Sequence, residues 1–247
     1  MNGFRKKMSY NAIIYNYLEN NPESTWKGDG GFHKSVSKED LTEVYDAVHS
    51  DQGGICAYCE IYLKWPSVKF TDDFRIEHFH PENCGEVHTH NYSLDWNNLL
   101  GCCHGGSSKS SRSFGNDYSG KAYLSCDVPK GNKILDGKIL NPLVDLPINV
   151  TFFDFNENGC VFVGDHCPED MKVKAQATID ELNLDCLRLR RFREGIIEKL
   201  SERLDLELID ISDSAEINSK IDDLRNVLLG HNDKPEFYST ISWYLAP

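Results

Sequence analysis

The sequence predicts an α+β fold in which a small, zinc-stapled core of short strands lies between helical N-terminal and C-terminal elements. Three observations predict it. Cysteines cluster mid-chain in ligand-like groups: Cys56 and Cys59 as a C-x-x-C, Cys102 and Cys103 as a pair, and Cys126 before an aspartate. Two β-rich runs, V-T-F-F-D-F and C-V-F-V, flank the turn N-E-N-G. Apolar residues recur at helical spacing before residue 50 and again after Met171. At 247 residues, 40% hydrophobic and 26% charged, the chain is long enough to bury a sizeable core. The expected organisation is a helical N-terminal region over 1–50, a zinc-containing core with a β-hairpin extension over 51–165, and a helical C-terminal region over 166–247.

Taken in order, residues 10–18 place apolar residues and tyrosines on one helical period, which N-P-E ends. The run S-K-E-D-L-T-E-V-Y-D-A-V-H predicts a second helix with Ser37 as cap and Glu39 or Asp40 in its first turn. Between them W-K-G-D-G-G-F reads as a loop anchored by Trp26. I-C-A-Y-C-E-I-Y-L reads as a tight cysteine turn feeding a short strand, and F-R-I-E-H-F as a second strand. L-D-W-N-N-L-L-G-C-C reads as starting in a helix or helical turn. The glycine and serine-rich segment over 105–120 has no apolar periodicity and reads as a surface loop. The aromatic hairpin follows, then helices through A-T-I-D-E-L-N-L-D and C-L-R-L-R-R-F-R-E-G-I-I-E-K-L, near 217–229, and near 236–245, the last packed on the core.

Nine cysteines, an odd number, in a chain whose N-terminus M-N-G-F-R-K-K-M-S-Y shows no apolar signal segment suggest metal ligation in the cytoplasm more readily than disulfides. A structural zinc takes four tetrahedral ligands, and a C-x-x-C turn brings two thiolates to one ion. Cys103 and Cys126 supply the other two, with Cys102 as competitor for Cys103. Cys84, Cys160, Cys167 and Cys186 carry no ligand spacing.

Between the ligand pairs lies R-I-E-H-F-H-P. With C-A-Y-C-E before it and L-D-W-N-N-L-L-G-C-C-H-G-G and C-D-V-P-K-G-N after it, this order of motifs resembles the HNH endonuclease superfamily. More closely it is similar to PtuB, the HNH nuclease subunit of Septu-type anti-phage systems, including those attached to retrons. The resemblance covers roughly residues 50–200. It implies a ββα-metal (HNH) core, metal-dependent cleavage of phosphodiester bonds, and a PtuA-type ATPase or retron complex as partner. Carried onto this chain, the acidic-histidine pair falls on Glu77 and His78. The asparagine falls on Asn98, with Asn97 as alternative, and the position after the last zinc cysteine on Asp127. That position is often histidine or asparagine in the family, so the aspartate alters the electrostatics of the metal it would bind.

The residue types suit the task. Phosphodiester hydrolysis needs an activated water and a cation that stabilises charge on the phosphate and leaving oxygen. Neutral His78, with an ordinary pKa of about 6.5, serves as general base. Asp127 offers oxygen to one Mg²⁺ or Mn²⁺, and Glu77 acts as ligand or as support behind the site, since neighbours in a regular strand project to opposite faces. His80, His104, His88 and His90 read as surface or loop residues.

A net charge of -13 opposes a phosphate chain at long range, yet its distribution leaves room for one. Residues 101–135 carry five cations against two carboxylates, whereas residues 201–223 carry eight carboxylates against two cations. Lys109, Arg112 and Lys130 are therefore the expected nucleic-acid contacts, with DNA favoured over RNA. Arg188, Arg190, Arg191 and Arg193 are expected to meet protein. No apolar run has the length of a membrane span. The alternatives are an RNA- or tRNA-cleaving effector and a catalytically silent zinc-bearing adaptor on the ATPase.

Overall fold

A computed structural model of the protein describes residues 1–64, 74–82, 89–107, 120–231 and 233–246. Helix α1 (Ala12–Asn20) starts at Asn11, whose side chain accepts from the N–H groups of Ile13 and Ile14. After a loop, one turn of helix, α2 (Phe32–Ser35), precedes α3 (Lys38–Asp51). Ser37 caps α3 by accepting from Asp40 N–H at 3.0 Å, with Glu39 and Asp40 against the positive end of the helix dipole, as its sequence predicts. Val44 and Val48, four residues apart, are both buried and fix the core-facing side. Trp26 anchors the preceding loop, stacked on Phe32 at 5.2 Å.

Gln52 closes α3 and locks it to the middle of the chain. Its Nε2 donates to Ile55 O at 2.8 Å and Gly101 O at 3.0 Å, and its Oε1 accepts from Gly101 N–H at 2.6 Å. A Cβ at Gly101 would come within 2.9 Å of the Phe74 ring and 3.1 Å of the Gln52 amide, so any larger residue there would displace these side chains. The cysteine turn that follows α3 forms a single antiparallel bridge, Ile55 to Tyr62, rather than the expected strand.

Strand β1 (Arg75–His78) pairs antiparallel with β2 (Leu99–Cys102), in register Arg75 to Cys102 and His78 to Leu99. A single 3₁₀ turn, Trp96–Asn98, leads into β2, capped by Asp95. The helical turn was legible, but L-L-G-C is a strand. Four consecutive buried residues carry neither a helical nor an alternating period, so pairing with β1 decides the conformation. One turn of helix, α4 (Asp127–Lys130), follows Cys126 directly.

The aromatic hairpin forms as expected: β3 (Phe153–Phe155) pairs antiparallel with β4 (Val161–Val163), turning through Gly159 at φ +69°. Helices α5 (Lys172–Glu181), α6 (Leu187–Glu207), α7 (Ser214–Leu229) and α8 (Tyr238–Tyr244) complete the chain. One apolar core runs from Met1 and Phe4 through the cysteine turn and both strand pairs to Phe237. A smaller cluster of Leu200, Leu224, Ile241 and Leu245 joins α6, α7 and α8. Burying each such leucine or valine stabilises the fold by roughly 1.5–3 kcal/mol. The C-terminal aromatic segment packs as expected, and Ser239 on α8 donates to the buried Glu60 carboxylate through its N–H at 2.9 Å and its Oγ at 2.6 Å.

Among the described residues, no helix is long and apolar enough to cross a membrane. The arginines of α6 meet protein. Arg193 donates to Gly159 O and Leu184 O, Arg190 pairs with Asp185, Arg191 pairs with Glu194, and Arg188 reaches under the cysteine cluster.

Candidate metal centre and active site

Four thiols converge. Ligand atoms of Cys56, Cys59, Cys103 and Cys126 all lie within 4.8 Å of one another, and all four side chains are buried. The Sγ separations are 3.5 Å for Cys59 to Cys103, 3.8 Å for Cys103 to Cys126 and 4.0 Å for Cys56 to Cys126. A tetrahedral zinc with Zn–S of about 2.3 Å sets its sulfurs roughly 3.8 Å apart, so the cluster fits that ion. Backbone N–H groups of Cys103 and Gly105 point at Cys56 Sγ and Cys103 Sγ, each at 3.4 Å, and Ser125 Oγ lies 3.5 Å from Cys126 Sγ. Such contacts orient thiolates and offset their charge. Cys126 itself holds φ +63°, an unusual conformation for a side-chain-bearing residue, secured by its N–H on Leu182 O at 2.8 Å. This centre, formed by Cys56, Cys59, Cys103 and Cys126, is a structural metal site of the zinc type. Cys102 stands beside it: its Sγ is 3.7 Å from Cys56 Sγ and donates to Asp127 Oδ1 at 3.6 Å.

That contact leads to a second group of charges on one face of β1. Arg75 pairs with Asp127 Oδ1, and Lys130 Nζ lies 2.7 Å from Glu77 Oε1. Lys130 Nζ also donates to His78 O at 2.9 Å, so one ammonium, with three N–H donors, serves both groups. Burial, reinforced by the neighbouring Glu77 and opposed by Arg75, pushes the Asp127 carboxyl up to about 7. Burial also raises Glu77, against the counter-pull of Lys130 and Arg75. The sequence reading put Lys130 on a substrate phosphate. In the fold only 1% of its surface is exposed, and its ammonium is committed to Glu77 and the His78 carbonyl.

His78 projects to the other face. Its Nε2–H donates to Ser93 O at 2.9 Å, which leaves the lone pair on Nδ1, and its ring meets Trp26 edge-on at 6.0 Å. Burial holds its pKa below the ordinary imidazole value, and 8% of the residue remains exposed. Ser93 Oγ in turn donates to Glu82 Oε1 at 2.6 Å, which also accepts from Trp26 N–H at 2.9 Å.

Asn98 holds the turn after β1 rather than the His78 ring. Its Oδ1 accepts from His80 N–H at 2.7 Å, and its Nδ2 donates to His80 O at 2.9 Å and Tyr92 O at 2.7 Å. Asn97, the alternative, is exposed. His80, expected on the surface, is buried: its ring stacks on Tyr92 at 3.9 Å and its Nδ1 meets Asp136 Oδ2 at 3.0 Å. His90 is exposed and pairs with Asp95 at 2.8 Å. Lys109 and Arg112, like Cys84 and His88, lie outside the described residues.

The fold thus joins Glu77, Asp127 and Lys130 at one place and puts His78 and Asn98 at the same end of β1, on its other side. Sequence reasoning missed Arg75 and Ser93. Arg75 had a local signal, since alternation along R-I-E-H puts it on the same face as Glu77. Ser93 had none, because its contribution is a backbone carbonyl.

No protein-family model matches the chain. Over 212 residues it is 31% identical to the candidate HNH endonuclease of retron Ec83 from Escherichia coli, a match that covers 77% of this chain and 77% of that protein. Likeness of that depth across most of both chains decides the family: this protein belongs to the retron-associated HNH endonucleases.

Proposed function

We propose that the chain is a metal-dependent endonuclease that hydrolyses DNA phosphodiester bonds, acting in the cytoplasm as the effector of an anti-phage system. On this reading the core over 51–165 is a ββα-metal unit of the PtuB type. Its helical flanks, 1–50 and 166–247, serve docking on a PtuA-type ATPase or a retron complex. The observation that supports it is the pair of part-buried carboxylates, Glu77 and Asp127, beside a zinc-type staple, with a neutral imidazole on the adjoining strand position.

The chemistry follows from these groups. Glu77 and Asp127 offer the hard oxygen donors that Mg²⁺ or Mn²⁺ prefers, and such an ion supplies charge stabilisation on the phosphate and the leaving oxygen. His78 is kept neutral by burial and held in one tautomer by Ser93 O, so Nδ1 is the atom that takes a proton from water. Asn98 fixes the turn that carries His80, and Lys130 ties Glu77 to the His78 backbone, so both are positioning groups. Lys109 and Arg112 remain the proposed phosphate contacts.

A second reading, a silent zinc-bearing adaptor on the ATPase, draws on one observation: each carboxylate already carries an internal cation, Arg75 or Lys130. Incubating zinc-loaded protein, with and without the ATPase, with DNA and RNA under Mg²⁺, Mn²⁺ or EDTA separates the readings. The endonuclease reading expects metal-dependent DNA cleavage that His78→Ala abolishes. RNA products move the substrate to RNA. Absence of cutting in the complete assembly, or equal cutting by the variant, removes the catalytic assignment.

A further inference from the structure

Two loops close over His78, and they meet at one oxygen. The loop after α1 carries Trp26, whose ring meets the imidazole edge-on at 6.0 Å. The loop before the 3₁₀ turn carries Ser93, whose carbonyl accepts from His78 Nε2–H at 2.9 Å. Glu82 Oε1 takes a hydrogen bond from each, 2.6 Å from Ser93 Oγ and 2.9 Å from Trp26 N–H, with Lys27 N–H at 3.4 Å. Trp26 N–H also lies 2.5 Å from Ser93 Oγ, which closes the three groups into a ring of hydrogen bonds. Neither the zinc centre nor the Glu77 and Asp127 site uses Glu82.

The turn after β1 delivers Glu82 to this place. Asn98 holds both backbone groups of His80, and Pro81 fixes the next φ, so the strand that presents His78 returns a carboxylate to the loops over it. Three donors converging on one oxygen call for an acceptor-only group, and an ionised carboxylate takes such bonds about twice as strongly as a neutral acceptor. The loops are also joined elsewhere: Asn91 Nδ2 donates to Pro22 O at 3.1 Å and Ser24 O at 2.8 Å, and its Oδ1 accepts from Ser93 N–H at 3.1 Å. What Glu82 adds is a joint at the two residues that touch His78. Which imidazole nitrogen carries the proton is set by the hydrogen bond the other one makes or lacks, so the placement of Ser93 O decides whether Nδ1 keeps its lone pair.

We propose that Glu82 is a positioning residue for His78, clamping Ser93 and Trp26 so that the imidazole stays in its Nε2–H tautomer with the lone pair on Nδ1. This rests on the reading of His78 as general base given above. The base is then held through a neighbouring peptide group, with the carboxylate one residue removed from the ring it orients.

The test compares the zinc-loaded parent with Glu82→Ala, Glu82→Gln and Glu82→Asp. Nitrogen-15 NMR of histidine-labelled protein reads the tautomer at about pH 8, above the ordinary imidazole pKa, with the His78 signals identified by their loss in His78→Ala. Zinc content is measured beside it, with kcat and KM for DNA cleavage in the complete assembly. The parent should show a single His78 tautomer. Glu82→Ala should show a mixture, with zinc and KM unchanged and kcat down about tenfold, part of the roughly 10²–10⁴-fold that a general base supplies. Glu82→Gln, which keeps an oxygen at the same reach, should restore most of kcat. Glu82→Asp, which keeps the charge but draws the oxygen back by one methylene, should match the alanine variant, and it decides the question if that variant does not fold. A single tautomer in Glu82→Ala or Glu82→Asp would overturn the role of Glu82 and leave His78 as the base. A fall in kcat matched by loss of zinc would show a structural role only and would overturn it too. If the parent cuts nothing, or His78→Ala cuts equally well, the general-base reading fails and the role of Glu82 falls with it, whatever the tautomer.

Discussion

Replacing Asn98 with aspartate separates a structural amide from a catalytic one. The side chain sits 6% exposed among three backbone groups, accepting from His80 N–H and donating to the carbonyls of His80 and Tyr92 at 2.7–2.9 Å. Aspartate keeps the shape and the acceptor but exchanges the NH₂ for an oxygen. Two buried carbonyls then lose their donor and face a second acceptor. Each such orphan costs about 1–3 kcal/mol, and the added repulsion brings the total to roughly 3–5 kcal/mol. For a chain of 247 residues, at about 2–4 °C per kcal/mol, the melting temperature should fall by roughly 10 °C. The assay is thermal and urea unfolding of zinc-loaded protein, followed by tryptophan fluorescence at pH 8 and pH 5. Protonation restores one donor, so the loss should shrink at the lower pH. A variant within about 1 kcal/mol of the parent, yet defective in cleavage, would refute the bracing role and return Asn98 to the chemistry.

Cys103→Ser should abolish retention of one zinc equivalent while Cys102→Ser keeps it, because only the former is among the four mutually close thiols; metal analysis after gel filtration reads this directly. Arg188→Met keeps an apolar stem but removes the charge that donates to Ser125 Oγ at 2.6 Å and faces Cys103 and Cys59, so zinc should pass to a chelator several-fold faster. His78 is held below its ordinary value of 6.5, chiefly by burial, so the folded protein binds that proton less readily than the unfolded chain. Its contribution to stability is therefore fully present above pH 6.5 and lost as pH falls through the folded value. With His78 as the base, the acid limb of the parent's cleavage rate lies below pH 6.5; a limb above 6.5 would point to another group.

What was legible in the sequence was whatever local chemistry dictates. A tetrahedral ion fixes the cysteine spacing, a serine followed by two acids starts α3, and an Asn-Gly turn between aromatic runs makes the hairpin. Alternation along R-I-E-H also separated Glu77 from His78, and their partners, Lys130 and Ser93, lie on opposite faces of β1. Hidden were contacts made only by folding, such as Arg75 on Asp127 across 52 positions and Asp136 on His80 across 56. These contacts explain how a chain of net charge -13 can be read as an enzyme acting on phosphates. Two carboxylates and two cations cancel at the candidate site. A divalent ion added there makes it locally positive within an otherwise repelling surface, and Coulomb energy falls off with distance and salt, so only a phosphate already delivered nearby would feel it. On the proposed reading, the internal cations hold the site neutral until metal arrives, and a partner that brings the nucleic acid replaces the long-range attraction that this chain lacks.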